Sequence, residues 1–189
     1  MKNLKSLALA LVVVLSTAAA NAQTKKVDTA KSTINWVGKK VTGAHEGTIN
    51  LKDGNLVFKG KKLVGGAFVV DMNSMTVTDL KAGQGKEKLE GHLKADDFFG
   101  TDKFATASLV FKKLITKAPN VYTVTGDLTI KGITKPVTFD LATTANTAAA
   151  NVVVDRTKFD IKYGSGSFFD SLGDKAINDD FTLAVALKF

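Results

Sequence analysis

Cysteine is absent from the 189 residues. No disulfide can form, no thiolate can act as nucleophile or metal ligand, and no lipid anchor can attach through a leader cysteine. Stability must therefore come from a hydrophobic core. Histidine is nearly absent too, at positions 45 and 92 only. There is no HExxH motif and no Cys/His cluster, so no metal is expected. "YGSGSFF" (163–169) lacks the G-x-S-x-G order of a nucleophile elbow, and its reading is a turn. "AGQGKEK" (82–88) has neither P-loop spacing nor the strand-to-helix setting of a dinucleotide loop. Asp96-Asp97 reads as a helix end. No acid, base and nucleophile are nominated together, so neither a catalytic residue nor a cofactor is expected.

Long apolar runs are scarce as well. The one clear example, "LALALVVVL" (Leu7 to Leu15), follows Lys2 and Lys5 and precedes the small-residue site at Ala20 to Ala22. It is well short of the roughly 20 residues of a membrane-spanning helix. The pattern is that of a bacterial secretory leader cleaved after Ala22, which implies a periplasmic or secreted protein. One domain is then expected from Gln23 to Phe189. The formal charge of +8 falls by two with the leader. The remaining lysines are scattered and have few aromatic neighbours, so nucleic acid is not an expected partner.

What the chain has is alternation. In "GDLTIKGITKPVTFDL" (126–141), Leu128, Ile130, Val137, Phe139 and Leu141 are apolar with polar residues between them. The phase changes across "KGITKP", which predicts a hairpin with one apolar face. Placing Ile130 opposite Val137 sets Leu128 against Phe139 and Thr129 against Thr138, with Pro136 before the returning ladder. "DGN" at 53–55 predicts a second hairpin between Ile49/Leu51 and Leu56/Phe58. Gly65 and Gly66 suit a bulge. Residues 23–26 read as a mobile lead-in, and "ATTANTAAAN" (142–151) as a long connection. "GKEKLEGHLKADDFFGTDKF" breaks the alternation, with Leu89 and Leu93 one helical turn apart. The expectation is an all-β, antiparallel, lipocalin-like barrel of about eight strands, with one or two short helices. Closure into a barrel would hide the strand edges.

Strand parity points Ile34, Trp36, Phe68, Leu109, Phe111, Val124, Leu128, Ile130, Phe139 and Leu183 inward. Small barrels either fill that space or leave room for one ligand. Two doublets, Phe98-Phe99 and Phe168-Phe169, fall outside clean strands and are candidates to line or cover a mouth. Arg156, His45 and His92 are candidates for a polar head group.

Several stretches resemble the YceI-like family of bacterial polyisoprenoid-binding proteins. The hairpin "GDLTIKGITKPVTFDL" carries the likeness most specifically. "VDTAKSTINWVGKKVTGAHEGTI" (27–49), "LEGHLKADDFFGTDKFATASLVF" (89–111) and "VVVDRTKFDI" (152–161) follow the family in order. The chain departs from it at Lys31, Ala105 and Asp160, near ends and turns. The resemblance implies an exported barrel enclosing an isoprenoid or other long-chain lipid, without a shared catalytic mechanism and without stable membrane insertion. A homodimer is compatible with it. Two alternatives stay open on sequence: a small outer-membrane barrel, since an alternating strand ends at Phe189, and a periplasmic enzyme with an unrecognised site. One Trp and two Tyr make a poor aromatic girdle for the former.

Overall fold

Alternation of apolar and polar residues produces nine antiparallel strands in the computed structural model, which describes residues 22–189. The expected leader lies outside the described residues except for Ala22. The strands are β1 (Ala22–Lys26), β2 (Thr33–Lys40), β3 (Gly43–Lys59), β4 (Lys62–Val77), β5 (Thr106–Ala118), β6 (Val121–Ile130), β7 (Ile133–Thr143), β8 (Thr147–Asp155) and β9 (Ile177–Lys188). One α-helix, α1 (Lys86–Lys94), lies between β4 and β5. Strands β2 to β9 form a closed eight-stranded ring, because β2 pairs with both β3 and β9. Strand β3 is long enough to serve two neighbours in turn. Its first part pairs with β2 and its last part, Asn55 to Lys59, with β1. Residues 23–26 are therefore paired strand and not a free lead-in.

The β6–β7 hairpin has one apolar face, as expected, but in a different register. Ile130 pairs with Ile133 across a two-residue turn, Lys131-Gly132, both with positive φ. Gly126 consequently faces Val137, Val124 faces Phe139, and Leu128 faces Lys135. The shift preserves parity, so every side chain keeps its face. On the outer face Thr129 meets Thr134 and Thr125 meets Thr138, with hydroxyl oxygens 2.8 and 3.1 Å apart. Pro136 lies inside the ladder, opposite Asp127. Hydrogen-bonded and non-bonded pairs alternate from the closing pair, which makes this a non-bonded pair. The missing N–H then points away from β6, to the side where β7 has no partner until Leu141.

Asp53-Gly54 is not a turn. It sits within β3 at a register irregularity between Leu51 and Asp53. Gly54 is needed there for close approach: a Cβ would lie 2.7 Å from the Phe68 ring. The chain reverses instead at Gly60-Lys61. A further irregularity falls at Val57/Phe58, opposite Gly65 and Leu63, where a bulge was expected. The tract 142–151 is also mostly strand. Thr144 closes a short turn by accepting from the N–H groups of Asn146 and Thr147, and Ala148 is buried.

Helix α1 lies against the end of β4. Its Glu90 carboxylate accepts from the Val77 N–H at 2.8 Å and the Thr76 hydroxyl at 2.7 Å. Those two bonds, the backbone one first, hold the Glu90 carboxyl below its ordinary range. After the helix the Phe99 N–H returns to the Leu93 carbonyl, which turns Phe98 and Phe99 inward.

Candidate functional site

The inward side chains do not fill the ring. They leave an apolar cavity of about 190 Å³. An apolar cavity of about 150 Å³ is already enough to stay dry and accept benzene. All eight ring strands contribute to the lining, β3, β6 and β8 with two residues each and the others with three or more. Leu109, Phe111, Phe181, Leu183 and Val185 face inward yet remain only half-buried, because their exposed area faces this space.

The two ends differ. One is closed by Leu56, Leu63 and Val124, all fully buried, with Tyr122 and Phe58. The Tyr122 hydroxyl oxygen accepts from the Leu63 N–H at 3.1 Å. Phe58 and Phe189 pack with ring centroids 5.8 Å apart, and the Lys25 ammonium lies over both rings. The other end is a mouth formed by Leu93 of α1, Phe98, Phe99, Arg156 and Ile177. There the lining reaches the exposed residues Asn178 and Asp180.

Arg156 is 2% exposed. Its Nε donates to the Asn178 carbonyl, Nη1 to Ile161 and Nη2 to Ile177, at 3.0, 2.7 and 3.0 Å. Its guanidinium lies over the Phe98 ring, and Nη2 is 3.7 Å from Asp179 Oδ1. That oxygen is buried and has no hydrogen-bond donor, while the Ser167 hydroxyl donates to Oδ2. Burial pushes the guanidinium below its ordinary value, and Asp179 and Asp155 push it back up. Arg156 is thus a clamp joining the end of β8 to the start of β9, with its charge balanced from the protein side.

Of the residues expected inside, Ile34, Trp36, Phe68, Leu109, Phe111, Leu128, Ile130, Phe139 and Leu183 line the cavity, as do Phe98, Phe99 and Arg156. Val124 does not: it is buried in the closed end, beyond the floor. His45 lies outside the cavity lining, its Nδ1 2.7 Å from Asp79. Burial alone would raise the Asp79 carboxyl, but bonds from His45 and the Glu46 N–H more than offset that and hold it low. His92 packs outside, edge-on to Tyr163 at 4.4 Å and near Phe98 at 5.6 Å. Phe168 and Phe169 are 50% and 51% exposed and line nothing. The doublets part because backbone bonds turn one into the barrel, whereas Phe168 and Phe169 both bond back to the Ser165 carbonyl on the outside.

Sequence reasoning missed Met72, Met75 and Asp179. Parity carries β4 inward through Met72, but pairing skips from Asp71 to Thr76, and both methionines end up buried. There the Asn73 N–H donates to the Asp71 carboxylate and the Ser74 hydroxyl to the Asp71 carbonyl, a bulged irregularity that alternation cannot register. Asp179 shares the parity of Phe181 and Leu183, and that signal was available. Among the described residues no group of three or more His, Cys, Asp or Glu gathers to hold a metal ion.

A YceI-like domain family matches residues 26–189. Among curated relatives, a UPF0312 protein of Shewanella denitrificans is 36% identical over 92 residues, 49% of this chain and 46% of that protein. A UPF0312 protein of Staphylococcus aureus is 49% identical over 55 residues, 29% of each chain. The chain thus spans less than half the length of these relatives. Among solved structures, Burkholderia cenocepacia BcnA superposes with a TM-score of 0.71 at 23% identity, covering 86% of this chain and 99% of that one. A polyisoprenoid binding domain from Saccharophagus degradans, implicated in plant cell wall breakdown, gives 0.59 at 15%, with 86% and 95% covered. At those identities the likeness shows the same barrel fold.

Proposed function

This chain belongs to the YceI-like family, and from that premise we propose that it is an exported, soluble barrel carrying one long apolar lipid, an isoprenoid chain, in its interior. The observation that carries the reading is the cavity, long, apolar and reaching the surface at one end only. Its lining on β9 runs from Ile177 to Leu187. At about 3.3 Å per residue and a strand tilt of about 35–45°, that stretch measures roughly 25 Å along the barrel. A linear prenyl chain suits such a shape better than a compact ligand does. The description of the Saccharophagus domain supports the same ligand class. Each buried methylene contributes about 0.8 kcal/mol, less the cost of ordering the chain.

Two features refine the reading. Outward positions on β7 are Thr134, Pro136, Thr138 and Asp140, all exposed, while Phe139 and Leu141 face in. A barrel immersed in lipid has its apolar band outside and a polar lumen, so this orientation supports a water-soluble carrier over an outer-membrane barrel. At the mouth, Asp179 already balances Arg156, so a neutral head group is favoured over a phosphate. No catalytic role is proposed.

Titration of delipidated protein with prenyl alcohols of increasing length tests the function. Affinity should rise with length and level off once the tail exceeds the cavity. Absence of binding at every length, with no lipid copurifying, would overturn it. Export is tested by the intact mass of protein from its host, which should begin at Gln23.

A further inference from the structure

Phe168 and Phe169 serve no purpose inside the barrel, yet they are not loose. Ser165, three residues earlier, is fully buried, and its carbonyl accepts from the N–H groups of both phenylalanines. Its hydroxyl oxygen accepts from the Ser167 N–H, and the Ser167 hydroxyl in turn reaches Asp179. The backbone is pinned while the two rings are presented to solvent. Tyr163 is 46% exposed on the same loop. These three are the exposed large aromatics among the described residues. Single exposed apolar residues are ordinary on protein surfaces, but three aromatics on one seven-residue stretch form a patch that calls for a partner.

The position of the patch points to that partner. Gly164 accepts from the Ile177 N–H, and Ile177 lines the mouth. Tyr163 packs on His92 of α1, the helix that places Leu93 in the lining. The loop is therefore tied to both the wall and the helical cover of the opening. Val41, 64% exposed at the β2–β3 tip, joins the same end through a bond from its N–H to the Ala176 carbonyl. The surrounding charges are mixed: Lys39, Lys40, Lys162 and Lys175 stand with Asp160, Asp170 and Asp174. Neither sign prevails strongly, so a polyanionic partner is not favoured. Tyr163, a ring with a polar end, suits the lipid–water boundary, and the phenylalanine rings suit the apolar layer just beneath it.

We infer that the Tyr163–Phe169 loop is a docking surface for a lipid bilayer, which sets the cavity mouth against the membrane for loading and release of the lipid. The inference rests on the reading that the interior holds a lipid. A long prenyl chain is too apolar to reach the mouth through water at a useful rate, and contact between mouth and bilayer removes that step. Docking works through ring insertion and not through charge.

The test compares the protein with the double variant Phe168→Ser/Phe169→Ser and with the control Ile115→Ser. Ile115 is equally exposed, at 52%, but lies on the barrel wall. Partitioning onto phosphatidylcholine vesicles should fall at least tenfold in the double variant and stay unchanged in the control. Doping the vesicles with phosphatidylglycerol should change little. Solution affinity for a prenyl alcohol and the melting temperature should match the parent, while uptake of a fluorescent prenyl lipid from vesicles slows. Equal partitioning of parent and double variant would overturn the inference. So would a parent dimer that dissociates in the double variant while vesicle binding persists, since the patch would then be a contact between copies. If the parent binds vesicles through the loop but takes up no prenyl alcohol, docking stands and the carrier reading fails.

Discussion

The two ends of the barrel are made from the same strands and solve opposite problems. At the closed end the connections Gly60-Lys61, 119–120 and 144–146 are short, and Leu56, Leu63, Val124 and Tyr122 fill the ring. At the mouth, α1 and the stretch 156–176 intervene between strands, and the inward residues stop short of one another. Where every connection is short, as at the closed end, the strand ends pack together; at the mouth 41–42 and 131–132 are short too, but 78–105 and 156–176 are long. Long connections can stand aside and leave the space between strands empty. The cavity is thus a consequence of where the chain spends its loops.

The largest expected effect separates these ends by stability. Leu56→Ala should cost about 3–5 kcal/mol, because it opens a new void in a filled layer. Leu183→Ala removes side chain from a wall that already borders a space, so it should cost about 1–2 kcal/mol, chiefly the transfer part. Denaturant unfolding of both variants measures the difference, and equal losses would break the comparison.

The next effect is on selectivity at the mouth. Asp179→Asn removes the charge that faces Arg156. Affinity for a prenyl phosphate relative to the matching alcohol should rise about tenfold, or about 1.4 kcal/mol. An unchanged ratio would mean that Arg156 does not see the head group.

The smallest effect concerns how each end is held. Val77 and Thr76 keep the Glu90 carboxyl depressed, so its contribution to stability is present above the unfolded value of about 4.3. It is lost as pH falls through the lower folded value. Because Glu90 is partly solvated, the contribution should be under about 1 kcal/mol. The melting temperature of Glu90→Gln should lie slightly below the parent at neutral pH, and the gap should close in acid below that unfolded value. A gap independent of pH would show that α1 is held by its apolar contacts alone.

Much of the fold was legible because period-two alternation survives changes of register. The 126–141 hairpin shows how: its pairing moved, yet Leu128, Ile130 and Phe139 all stayed inside. Turn positions were less legible. Lys131 adopts a left-handed conformation that its identity does not announce, and Gly54 serves ring packing where Asp-Gly suggested a reversal. Pro136 gave no warning that its lost donor faces an unpaired side. In the candidate site, the apolar lining followed from parity, whereas the polar mouth did not. Whether Arg156 meets a ligand or three carbonyls depends on backbone 5 to 22 residues away, including the Ile161 and Asn178 carbonyls. The two phenylalanine doublets look alike in composition and differ only in what their backbones bond to.

The β2–β9 seam has a kinetic consequence. Every other neighbouring pair in the eight-stranded ring is adjacent in sequence, while Thr33 must find Ala186 and Trp36 must find Leu183. Hairpins form locally in microseconds, but contacts so distant along the chain wait for the rest of it. As the chain emerges from its N-terminus, β2 to β8 can assemble only as an open meander with two bare edges. Its apolar lining then lies uncovered, which is the state most prone to pairing with other chains. Closure comes with the last strand to arrive, so a truncation within β9 removes the ring itself and leaves a curved sheet with nothing to shut it.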